Sequence, residues 1–134
     1  MEIMTADGKR IVAVGTSDIL HSLYSTIMIR LETCDDYAPL ALAFLKTGRC
    51  EADYAEETAR QFNLLHDALA CIKPEEAVYD MEDRNKLAPW EGNISKVVTS
   101  CANLYTTADG KDLLFEIVSI LTYAGLANTS IEIA

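Results

Sequence analysis

The sequence predicts a single α+β domain spanning residues 1–134, in which an antiparallel sheet drawn from both chain ends and the middle is covered by about four helices. Three observations lead there. Half of the 134 residues are apolar, enough for one core that buries about two-thirds of the surface an unfolded chain exposes. Apolar and polar residues alternate near both ends, whereas the interior carries apolar residues at three- and four-residue steps, the period of a helix with one face buried. Asp7-Gly8 between two short apolar runs marks a hairpin, because glycine accepts a positive φ without cost, so the sheet begins antiparallel.

The runs Met1–Met4 and Arg10–Val14 are the two arms of that hairpin. Gly15 ends the second arm. Thr16 or Ser17 then caps a helix whose core face is Leu20, Leu23, Tyr24, Ile27, Met28 and Leu31, with His21, Ser25 and Arg30 on the wet side. Thr33 to Asp36 interrupts the pattern, and Pro39 opens a shorter helix that stops near Gly48. From Glu51 to about Ile72 a third helix aligns Ala55, Ala59, Phe62, Leu65, Ala68, Leu69 and Ile72 opposite Glu56, Glu57, Arg60, Asn63 and Asp67. Pro74 forbids its continuation, and Ala77-Val78-Tyr79 is a candidate strand from the middle of the chain. Asp83–Ser95 is a loop carrying the only tryptophan, Trp90; Val97–Thr106 fits either strand or helix, with strand preferred at its end. Thr107-Ala108-Asp109-Gly110-Lys111 repeats residues 5–9 letter for letter, as reused turn chemistry. A largely apolar helix follows over Asp112–Ala124, stopped by Gly125, and Thr129–Ile133 alternates as a final half-buried strand.

The charge has an address. Residues 51–83 hold ten acids against Arg60 and Lys73, so this quarter of the chain carries −8 of the net −10. Such a surface repels nucleic acid and anionic lipid, and it steers and orients a basic protein; it also serves as a solvated face that keeps the protein soluble. The first twenty residues lack a basic start followed by an apolar run, which points to the cytosol. Cys34, Cys50, Cys71 and Cys101 are too widely spaced for a zinc site and are expected to be reduced, small buried hydrophobes.

Catalytic patterns occur only as fragments. His66 and Cys71 lie five apart on one helix, about 140° around its axis, which separates a nucleophile from its base. Asp18 and His21 are close enough to touch, but an aspartate in a first turn is explained by the helix dipole. Neither Asp35-Asp36 nor the group Asp80, Glu82 and Asp83 has the spaced ligands and glycine of a calcium loop. No phosphate-binding glycine loop, serine elbow or paired-histidine zinc motif is present, and no cofactor is expected. The residues therefore describe a binding module. Trp90 is either its hot spot, offering contact area and an indole donor, or a lid folded onto the core, and Tyr79 and Tyr105 share that ambiguity.

The segment Ala88-Pro89-Trp90-Glu91-Gly92-Asn93-Ile94-Ser95, with Thr99-Ser100, Ala102-Asn103, the turn Asp109–Leu113 and the amino-terminal Gly15–Ser22, resembles the immunity protein 70 family of bacterial polymorphic-toxin systems. The resemblance implies an intracellular, non-enzymatic protein, encoded beside a toxin, that binds the toxin's domain and protects the producing cell. It carries over onto Trp90 with Pro89, Gly92 and Asn93, and onto Ser17-Asp18. Cys50 departs from it, standing where a serine-like cap would open the long helix. A cationic nuclease would suit the acidic block, whose partner-binding candidates are Asp80, Glu82, Asp83, Trp90 and Asn93 around the loop and Glu56 and Glu57 on the helix. The alternative is a small cytosolic adaptor or regulatory interaction domain.

Overall fold

Asp7-Gly8 does turn the chain. In the computed structural model, which describes residues 1–134, β1 (Glu2–Thr5) and β2 (Ile11–Ala13) pair antiparallel with Ile3 opposite Val12. The last strand, β4 (Ile131–Ile133), pairs antiparallel with β1 on the other side, and beyond it lies a two-residue strand, β3 (Arg49–Cys50), giving the order β2-β1-β4-β3. The strand from the middle of the chain is therefore β3 and not Ala77–Tyr79, which is irregular; Ala77-Val78-Tyr79 bonds to a helix instead of a neighbouring strand. Partners across antiparallel strands point to the same face. Val12, Ile3, Thr5, Ile131 and Cys50 accordingly share the buried face, while Glu2, Ile11, Arg49 and Glu132 occupy the open one.

Five helices build the covering layer: α1 (Ser17–Arg30), α2 (Cys34–Tyr37), α3 (Pro39–Thr47), α4 (Ala52–Leu69) and α5 (Leu113–Ala127). The short α2 falls where the sequence pattern broke, so the helix count exceeds the expected four. α3 starts on Pro39 and ends on Gly48 at φ +75°, a left-handed stop that glycine makes without strain. α4 begins after Glu51 with no side-chain cap, and Cys50, expected at that boundary, is the end of β3. Its buried stripe is Ala55, Ala59, Phe62, Leu65 and Leu69 as the periodicity requires, and Ala68 and Ile72 are half-buried.

α5 packs on β1 and β2 and is covered by α4. Asp112 caps α5 by accepting the Phe115 N–H, and the helix runs to Asn128, which takes the left-handed conformation at φ 53°. Gly125 does not stop it. A Cβ there would sit 3.4 Å from the Glu56 backbone nitrogen and 3.8 Å from the Ala55 Cβ, so this glycine lets α5 pack closely against the start of α4. The two Thr-Ala-Asp-Gly-Lys segments fold alike. In each, the threonine hydroxyl donates to the aspartate, at 2.6 Å in Thr5–Asp7 and 2.5 Å in Thr107–Asp109, and the glycine has positive φ.

Between α4 and α5, residues 70–112 contain one 3₁₀ turn (Pro74–Glu76) and an isolated bridge from Thr106 to Asp112. Val97–Thr106 is neither the strand nor the helix its composition allowed. No helix is long and apolar enough to cross a membrane.

Candidate functional site

The irregular segment 70–112 is strapped to α1 by a stripe of polar side chains. Asp18, His21, Ser22, Ser25, Thr26 and Arg30 follow one another at helical spacing and each takes a partner between residues 76 and 81. The Tyr79 hydroxyl donates to Asp18 at 2.9 Å, His21 Nε2 lies 2.9 Å from Asp80 Oδ1, and the Met81 N–H donates to Ser25 Oγ at 3.1 Å. Thr26 Oγ1 accepts the Val78 N–H at 2.8 Å, the Ser22 hydroxyl donates to the Val78 carbonyl at 2.9 Å, and Arg30 Nε donates to the Glu76 carbonyl at 2.7 Å. His21, Ser25 and Arg30 were expected on the wet side; Ser25 is in fact fully buried, because the strap brings a backbone N–H for its hydroxyl to accept. Asp18 and His21 do not pair with each other, since each finds its partner in the strap.

Beneath the strap the Tyr105 hydroxyl lies 2.7 Å from Thr26 Oγ1 and 3.0 Å from Ser22 Oγ, and burial pushes its pKa up to about 12. Trp90 lies against the core and makes edge contacts with Tyr79 at 5.7 Å and Tyr105 at 5.9 Å, both nearly perpendicular. That geometry is favourable for aromatic rings and holds the indole between two fixed neighbours. Asn93, exposed, closes the turn by donating its backbone N–H to the Trp90 carbonyl at 2.9 Å.

The acidic block divides between two supports. On α4, Glu57 accepts from Arg60 Nε at 2.5 Å and Nη2 at 2.7 Å; these bonds, joined by one from Gln61, pull its carboxyl down to about 2. Glu56 beside it is exposed and unpaired. On the strap, His21 holds the Asp80 carboxyl below the usual range, aided by the Glu82 N–H, so Asp80 is an anchor and only partly exposed. Glu82 and Asp83 are exposed, as are Glu75, Glu76 and Glu91, and none of the five has an ion-pair partner.

Five main clefts interrupt the surface. The largest, about 470 Å³, runs between α1 and the end of α3 and mixes Glu82 with His21 and Lys46. Asp80 and Glu91 line a second with Arg84 and Lys86. The fourth and fifth, beside α4, contain Arg49 and His66 respectively. The third, about 350 Å³, is bounded by Trp90 and holds Glu75 and Glu91 with no basic side chain. Loop position alone cannot reveal Glu75 and Glu91 as neighbours, sixteen residues apart in an irregular segment. Cys34, Cys50 and Cys101 are buried thiols, as expected, whereas Cys71 is exposed. No three histidine, cysteine, aspartate or glutamate side chains converge as a metal site would need.

A family model described as Immunity protein 70 matches residues 5–133, nearly the whole chain. No curated protein and no solved structure matches it.

Proposed function

The chain belongs to the immunity protein 70 family, and from that membership we propose that it neutralises a cognate bacterial toxin domain by direct binding in the cytoplasm, without catalysis of its own. The observation that supports a binding site is the strap: an acid-rich segment without regular structure, yet tied to α1 at six side chains and leaving Glu75, Glu76, Glu82, Asp83 and Glu91 unpaired at its surface. Binding residues are commonly carried on such segments when a rigid scaffold positions them. A basic nuclease domain is the toxin chemistry that best suits them, because carboxylates can occupy the place of substrate phosphates.

Glu82, Asp83 and the Trp90–Asn93 turn form the proposed contact, with Asp80 fixing their position through His21. Glu56 and Glu57 act at longer range by steering. The test is co-expression with the toxin domain encoded beside this gene, followed by size-exclusion chromatography of the pair. Rescue of growth and a co-eluting complex support the reading; a toxin domain that kills equally well in the presence of folded protein overturns it.

A further inference from the structure

The cleft beside Trp90 differs from the other four in the chemistry of its lining. Pro74, Ala77 and Ile94 give it an apolar floor, Trp90 gives it an aromatic wall, and Glu75 and Glu91 supply two carboxylates with which no arginine, lysine or histidine of this chain forms an ion pair. Every other main cleft contains at least one basic side chain. The wall is also fixed in advance, since Trp90 is held by Tyr79 and Tyr105, so a guest would not have to order it.

Apolar floor, indole wall and unpaired carboxylates together match one side chain: a long aliphatic stem ending in a planar cation that stacks on an aromatic ring and donates to carboxylates. We propose that this cleft receives an arginine of the toxin domain, its guanidinium directed to Glu75 and Glu91 and its stem against Trp90. The inference rests on the immunity reading and adds the chemistry of the toxin residue recognised.

Trp90 is the only tryptophan, so the indole emission of this chain comes from the wall of this cleft. Titration with N-acetyl-argininamide should change the emission saturably, the uncharged isostere N-acetyl-citrullinamide should not, and a folded Glu75→Gln/Glu91→Gln double variant should lose the response. With the neighbouring toxin domain, the same variant should dissociate at least about tenfold faster than wild type, the scale of a buried charged anchor. Equal responses to the two amides, or an undiminished response in the double variant, overturn the inference. A toxin domain bound equally well by wild type and double variant with unmoved Trp90 emission overturns this inference alone, whereas a toxin domain that wild type does not bind overturns the immunity reading.

Discussion

The Tyr105 hydroxyl ties its loop to α1 directly and to Val78 through α1. It meets Ser22 and Thr26 of α1, whose own side chains hold Val78, so removing that oxygen loosens the strap from below. Tyr105→Phe should cost about 1 kcal/mol in urea denaturation, near the typical net value of a hydrogen bond, because Ser22 and Thr26 keep Val78 as a partner. Substitution at Trp90 would remove packing as well as any partner contact, so changes at Glu82 and Asp83 are the cleaner probes of binding. The anchoring acids also set a pH dependence. Asp7, Glu57, Asp80 and Asp109 all have carboxyls held below their ordinary values, by Thr5, Arg60, His21 and Thr107 first in turn. A depressed folded-state pKa contributes stability above the unfolded value and loses it as pH falls through the folded one. The melting temperature should therefore be level near neutrality and fall below about pH 4, and Asp80→Asn should make that fall shallower. A melting temperature unchanged down to about pH 3, below the ordinary carboxylate range, would contradict this.

β4 lies between β1 and β3 and brings Ile131, fully buried, to the core. Deleting residues 129–134 would leave backbone donors and acceptors of two strands unpaired at once. Cooperative unfolding by circular dichroism should be lost, and a truncated chain that melts like wild type would refute the central role of this strand. The hairpin, α1, α3, α4 and β4 were legible in the sequence because each has a periodicity or a turn residue that acts locally. Gly125 was misread because glycine inside a helix and glycine ending one look alike until the partner helix, here α4 at Glu56, is in place. Ala77–Tyr79 has strand composition, but Thr26 and Ser22 satisfy Val78 from a helix 52 and 56 residues away, a distance no local pattern encodes. The same limit hid the site. His21 and Asp80 were each visible as candidates, and only the fold made them a pair.

Across the whole molecule, −10 net charge should speed encounter with a basic partner, with α4 and the strap contributing in different ways. Reversing Glu56 and Glu57 to lysine should slow association with the toxin domain and flatten its salt dependence, leaving dissociation nearly unchanged. Glu82→Ala with Asp83→Ala should instead speed dissociation about 30-fold, the equivalent of about 2 kcal/mol. Surface-immobilised kinetics at two salt concentrations separates the two, and wild-type dissociation from a folded strap variant would move the contact elsewhere. The sheet order has a consequence for how the chain is made. Asp7 donates its backbone N–H to Thr129 across 122 residues, and β1 cannot meet β4 until that strand has been synthesised. During translation the hairpin, α1 and the entire acid-rich strap emerge before β4, so the sheet closes only in a slow, long-range step once Ile131–Ile133 has been made.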